Sequence, residues 1–131
     1  MPKIKEYTLD AQIDSGAMSS VCKYGAIPYY YWQPIKVNFR AITKDLMEIN
    51  HIAPDFPIYL NDVQIKVTLY SFNSGSDILL GQDFLNKLLP VTFGKGVVTF
   101  TTTEGPVNIK SSSDYHIKVQ PTEQDSVYSS V

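Results

Sequence analysis

The chain reads as an all-β protein, a small closed β-barrel or sandwich carrying one short helix. Three observations predict this. Short runs alternate apolar and polar residues with a two-residue period, most clearly at Val63, Ile65, Val67 and Leu69. Turn residues punctuate the runs, as at Asn61-Asp62 and Glu104-Gly105-Pro106. Only Gln82 to Leu89 carries a helical pattern, with Phe84, Leu85, Leu88 and Leu89 on one face and Pro90 as its stop. Many short strands with a single helix and no internal repeat pack as a barrel or sandwich.

In chain order, Tyr7 to Ile13 sets Leu9, Ala11 and Ile13 against Thr8, Asp10 and Gln12, so a half-buried strand delivers Asp14 to its end. Ser15 and Gly16 then suit a tight turn, because glycine allows unusual backbone angles and close approach while the hydroxyl bonds locally. Met18 to Cys22 continues as a short strand. Tyr24 to Trp32 is dense in aromatics, and Pro28 and Pro34 bracket an irregular or single-turn helical piece. It either packs against the barrel or walls a substrate pocket.

Ile35 to Phe39 and Met47 to His51 alternate as strands around a turn at Thr43-Lys44-Asp45. Ile58 to Leu60 and Val63 to Tyr70 form a hairpin about Asn61-Asp62, residues that tolerate positive φ. Asn73 to Ser76 is a loop into the buried strand Asp77 to Leu80, which ends at Gly81. Val97 to Thr103 is β-branched, Glu104-Gly105-Pro106 turns, and Val107 to Ile109 returns. Residues 1–110 thus make one domain. Residues 111–131, serine-rich and with little apolar periodicity, read as a polar C-terminal tail or linker too polar for the core.

With 131 residues the chain is long enough for one domain with a sizeable core. No apolar run approaches the roughly 18 to 20 residues of a membrane helix, and the first residues lack the apolar stretch of a signal peptide. The lone Cys22 forms neither an internal disulfide nor a multi-cysteine metal site, so a reducing, intracellular setting is expected. Formal net charge is -2, and ten lysines and Arg40 are dispersed, which argues against nucleic acid as a partner. His51 and His116 lack metal-ligand spacing, and nothing calls for a metal or a cofactor.

Two motifs carry chemistry. One is Gln12-Ile13-Asp14-Ser15-Gly16-Ala17; the other is Ser76-Asp77-Ile78-Leu79-Leu80-Gly81 running into the helical stretch. Together they resemble the retroviral-type, or retropepsin-like, aspartic proteases, in which an apolar-Asp-Thr/Ser-Gly-Ala turn is followed some sixty residues on by an apolar-apolar-Gly strand and one helix. The resemblance spans about Tyr7 to Lys110. Ile27-Pro28, with Trp32 four residues on, looks most like the proteases of plant pararetroviruses.

The resemblance implies a retropepsin-type barrel that is half of a twofold dimer, with Asp14 catalytic and Ser15, Gly16, Ala17 and Gly81 supporting its loop. Ser15 would brace the two loops across the axis, the Gly16 backbone would meet substrate, and Gly81 would lie beneath the loop. Met18, Ile42, Met47, Leu79 and Leu80 are the implied substrate contacts. The hairpin around residues 43–45 holds the place of the family's flap, yet no glycine occurs between Gly25 and Gly75. Where relatives pair an acid with an arginine, this chain has Met18 and Gln82, so both halves of that ion pair are replaced together. Relatives also knit their dimers from terminal strands, and Tyr115 to Val119 is a candidate for one. The implied partners are a second copy of the chain and a polypeptide, its own viral or retroelement polyprotein. The implied setting is host cytoplasm or virus particle.

The residues demand the same stoichiometry. Hydrolysing a peptide without a metal or nucleophilic side chain takes one group to deprotonate water and another to protonate the carbonyl, work that a pair of carboxylates sharing a proton can do. No second Asp-Ser/Thr-Gly occurs, so the second carboxylate falls to Asp14 of another copy. Three other readings stay open: a plain turn, a catalytically inactive retropepsin-like dimerisation or peptide-binding module, and a phosphorylated recognition peptide at Asp14-Ser15-Gly16-Ala17-Met18-Ser19.

Overall fold

The computed structural model describes residues 8–40, 46–112 and 115–120. They form the strands β1 (Leu9–Ile13), β2 (Val21–Cys22), β3 (Gln33–Arg40), β4 (Leu46–Leu60) and β5 (Val63–Ser71), followed by β6 (Ile78–Leu80) and the helix α1 (Gln82–Leu85). The strands β7 (Thr92–Gly94), β8 (Val97–Thr102), β9 (Gly105–Lys110) and β10 (His116–Val119) complete the chain. The described residues are mostly β with one short helix, the all-β class that the alternation predicts.

Seven strands share one sheet in the order β10-β1-β6-β2-β5-β4-β3, and β7-β8-β9 form a second. The strand that ends at Asp14 is therefore internal, parallel to β6 on one side and antiparallel to β10 on the other. Beyond the two ladders, an isolated bridge joins Tyr59 of β4 to Gln120, and another joins Ser111 to Ile117. The two-residue period sorts the side chains: Leu9, Ala11 and Ile13 of β1, Val67 and Leu69 of β5, and Ile78 and Leu80 of β6 all enter one core. Phe84 of α1 meets Phe100 of β8 edge-on at 6.1 Å, fastening the helix to the second sheet. Each such buried Leu, Ile or Phe stabilises by about 1.5–3 kcal/mol.

The β4–β5 hairpin turns at Asn61-Asp62, and Asn61 takes φ of 55°, the left-handed region that asparagine tolerates. β4 is one long strand where the sequence suggests two, because Pro54 and Asp55 are absorbed as a bulge between Ala53 and Phe56, with Asp55 at φ 50°. The aromatic stretch forms two 3₁₀ turns, Tyr24–Ala26 and Tyr29–Tyr31. Ile27 and Trp32 are buried and Tyr31 packs on Phe56, whereas Tyr29 and Tyr30 face outward. The expected turn at residues 43–45 lies outside the described residues.

Several expectations are corrected. Only Val21 and Cys22 of the Met18 to Cys22 stretch are extended. The helix closes at Leu85, since the bonds from Lys87 to Phe84 and from Leu88 to Leu85 span three residues and tighten the chain. Leu88 stays buried, but Leu89, restricted by Pro90, is swung out and exposed. β7 was not anticipated; it pairs with β8 around Lys95-Gly96, with Gly96 at φ 75°. The turn before β9 falls at Thr103-Glu104, leaving Gly105 and Pro106 in the strand.

The largest correction concerns His116–Val119, within the stretch expected as a polar tail. His116–Val119 is a strand of the main sheet, paired with β1 from Leu9↔Val119 to Gln12↔His116, and Ile117 and Val119 are 2% and 1% exposed. The candidate terminal strand at Tyr115 to Val119 is thus extended from His116, but it pairs with β1 of its own chain, and its two apolar side chains are too few for periodicity to mark it as core. Among the described residues, no helix is long and apolar enough to cross a membrane.

Candidate active site

Asp14 follows the last residue of β1, at a loop that runs to β2 and is half-buried. Its backbone amide donates to the Leu80 carbonyl at 2.9 Å, so the end of β6 fixes where the residue emerges. One carboxylate oxygen, Oδ1, accepts the Gly16 amide at 2.9 Å, and the Asp14 carbonyl accepts the Ala17 amide at 3.2 Å. These bonds make the tight turn expected after an acid, and they aim the carboxylate before any ligand arrives. A Cβ on Gly16 would stand 3.3 Å from Asp14 Oδ1, so glycine leaves the carboxylate uncrowded.

Gly81 lies against this loop. A Cβ there would come within 2.6 Å of the Ala17 carbonyl oxygen and 3.0 Å of that of Ser19, both backbone atoms unable to swing aside. The glycine is required by space. The chain past it continues the contact, with the Gln82 amide donating to Ala17 O at 2.8 Å and the Asp83 amide to Met18 O at 3.2 Å. The Gln82 side chain then donates from Nε2 to the Ser15 carbonyl at 2.7 Å. Thus the two sequence motifs, remote in the chain, meet in one assembly: the 14–18 loop is bonded to residues 80–83 along its length.

Reading the sequence missed two members of this assembly. Ser20 is fully buried; its hydroxyl donates to Asp83 Oδ1 at 2.6 Å and accepts the Gly81 amide at 3.0 Å, while its own amide donates to Asp83 Oδ2 at 3.1 Å. Asp83 is the second of them, outside both sequence motifs. The usable signal was its place two residues after Gly81, where the first turn of α1 faces the loop.

The remaining candidates divide. Ser15 is exposed, and Met18, at 75% exposure, projects from the loop. Leu79 is partly exposed, but Leu80 is 0% exposed. The substrate contact expected of Leu80 is therefore corrected: β6 alternates, and Ile78 and Leu80 both take its core face. Ile42 lies outside the described residues, as does the side chain of Met47, whose backbone pairs with Phe39.

The free cysteine, Cys22, is buried. Burial, with the Asp77 carboxylate adding to it, pushes the Cys22 thiol up to about 12, and a protonated thiol is inert. Among the described residues, no three His, Cys, Asp or Glu side chains gather as metal ligands. An open groove lined by Tyr59, Lys110 and His116 includes no residue of the Asp14 loop. Comparison of the chain with protein-family models, with curated proteins and with solved structures finds no match in any of the three.

Proposed function

We propose that this chain is an aspartic endopeptidase of the retropepsin type, active as a homodimer in which each subunit contributes Asp14. The observation that carries the reading is the bonding of the Asp14 loop to residues 80–83, with Gly81 packed on Ala17 where no larger residue fits. A carboxylate held by its own turn and by a neighbouring strand end is preorganised for acid–base work. The Tyr59–Gln120 bridge supports the closed-barrel part of the reading, because it links β4 back to the far edge of the sheet beside β10.

In the proposed dimer two copies of Asp14 meet on the twofold axis and share one proton, since like charges held so close do not both ionise. The ionised carboxylate takes a proton from water, whose oxygen attacks the peptide carbonyl carbon. The protonated carboxylate gives its proton to the carbonyl oxygen, forming a neutral tetrahedral diol. Collapse breaks the carbon–nitrogen bond as a proton passes to the leaving amine, and the shared proton is restored. The exposed Met18 and the partly exposed Leu79 are the described side chains we assign to substrate contact, and the substrate class is an extended polypeptide, a viral or retroelement polyprotein in host cytoplasm or particle.

The test is incubation with a peptide library at acidic pH, with and without an inhibitor mimicking the tetrahedral diol. Cleavage abolished by the inhibitor supports the proposal. A protein that binds the inhibitor yet cuts nothing is instead the non-catalytic peptide-binding module.

A further inference from the structure

Resting on the shared-site reading, we propose that the exposed ring pair Phe93 and Tyr115 is the surface on which a second copy of the chain docks, so that apolar packing beside Asp14 holds the dimer. The first observation is where the pair stands. The Ile13 amide donates to the Tyr115 carbonyl at 2.9 Å, so Tyr115 adjoins the end of β1 one residue before the carboxylate. The Phe93 ring meets the Tyr115 ring edge-on, with centroids 4.7 Å apart. With both Asp14 carboxylates on the twofold axis, the Tyr115 backbone lies no more than about 12 Å from that axis. Every point of a subunit stands from its copy at no more than twice its distance from the axis, so exposed surface this close faces the partner or the substrate.

The flank decides between them. In the sheet order β10-β1-β6, Tyr115 leads into β10 on one side of β1, whereas Leu79 belongs to β6 on the other. Met18 is held on that second side too, its carbonyl accepting the Asp83 amide past the end of β6. The side chains assigned to substrate therefore lie across β1 from the ring pair.

The second observation is that the pair is apolar surface its own chain leaves uncovered. Phe93 stands opposite Val98, which stands opposite Ile109, so the three share one face of the second sheet. Val98 and Ile109 are 1% and 7% exposed, but Phe93, on the edge strand β7, is 44% exposed. The row enters the core at two positions and runs out into solvent at the third. Tyr115, 54% exposed, has φ of 62°, in the left-handed region that glycine and asparagine take at less cost. The turn alone does not call for tyrosine, and a residue held in that region points to a role for its side chain. Meanwhile β10 is engaged on both sides, by β1 and by the bridges Ser111–Ile117 and Tyr59–Gln120. That leaves side-chain packing to hold a partner here, and aromatic rings are the groups enriched at the centres of such interfaces.

The experiment compares the full chain with Phe93→Ser and with Tyr115→Asn, which keeps a residue tolerant of the left-handed backbone. Circular dichroism checks the fold, and sedimentation gives the dimer dissociation constant. Each substitution should raise that constant about tenfold or more, because it enters a twofold dimer twice. Cleavage should return toward the wild-type rate at concentrations that restore the dimer. Tyr29→Ser, which removes an exposed ring elsewhere, should leave the constant unchanged. Tyr115→Cys supplies a second measurement, since Cys22 is the lone cysteine and is buried, so a short bis-maleimide reaches the new thiol. It should join chains into pairs whose specific activity no longer falls on dilution. An unchanged dissociation constant with a raised KM in both variants gives the rings to substrate and overturns the docking surface. A sedimenting dimer that the bis-maleimide fails to join, or equal weakening by Tyr29→Ser, overturns it as well. A dimer weakened by both substitutions that in wild-type form cuts no peptide at any concentration overturns the protease reading and leaves the docking surface standing.

Discussion

The Ser20 hydroxyl donates a 2.6 Å hydrogen bond to one carboxylate oxygen of Asp83, and the Ser20 amide donates to the other at 3.1 Å. This two-pronged contact ties the exit of the Asp14 loop to the first turn of α1. Asp83→Ala leaves both donors of a buried serine without their acceptor, at a cost of about 1–3 kcal/mol. Asp83→Asn keeps one acceptor and should lose less. Urea denaturation and peptide cleavage, measured on both variants, should rank wild type above Asn and Asn above Ala in each. Equal stability of all three would show that the contact holds nothing.

Gly81→Ala probes the same assembly from below. Its added methyl meets the Ala17 and Ser19 carbonyls, so the loop has to move, and overpacking of this kind costs about 1–3 kcal/mol. Cleavage should fall more than stability alone explains, because the displaced backbone bonds to Gln82 and Asp83. A variant as stable and as active as wild type contradicts the packing.

Truncation after Lys110 removes β10. Loss of the buried Ile117 and Val119 side chains alone costs roughly 3–6 kcal/mol, a large part of a typical domain's stability, and the edge of β1 is left unpaired. A chain ending at Gln120 retains the strand and serves as the comparison. Thermal melting should show the shorter chain unfolded or melting many degrees lower; an unchanged midpoint would mean that β10 contributes nothing to the fold.

How much of this was legible in the sequence follows from where the signal is local. The β4–β5 hairpin and the Asp14 turn were readable because their residues are neighbours: Asn61-Asp62 supplies the turn, and Gly16 bonds the acid two positions before it. The pairing of β1 with β10 was hidden because it joins residues more than a hundred positions apart through two apolar side chains. Ser20 and Asp83 were hidden likewise, for nothing in a serine's neighbours announces that it is buried against an acid remote in the chain. Leu80 read as a pocket residue because the motif names a residue type, while β6 decides which face it takes.

Cys22 gives the pH dependence its clearest sign. Its thiol is raised from 9.0 to about 12 by burial and by Asp77, so between those values the unfolded chain releases a proton that the native one keeps. The stabilisation is complete below about pH 9 and is lost as pH climbs toward 12. Urea midpoints at pH 7 and pH 10.5 should therefore fall more for wild type than for Cys22→Ala, which starts lower. The native thiol should react with a disulfide reagent at pH 8 only once denaturant is added. A fast native reaction would contradict the burial.

The central claim, that two copies of Asp14 make one catalytic centre, is tested most directly by specific activity and sedimentation across a single dilution series, repeated with excess Asp14→Asn chain. Activity per molecule should fall as dimers dissociate, and exchanged Asp14→Asn subunits should suppress wild-type cleavage. The Asp14→Asn protein alone should be folded by circular dichroism and slower by about 10²–10⁴-fold or more. Undiminished specific activity in a sample that sediments wholly as monomer would contradict the account and send the search for a second acid back into the single chain.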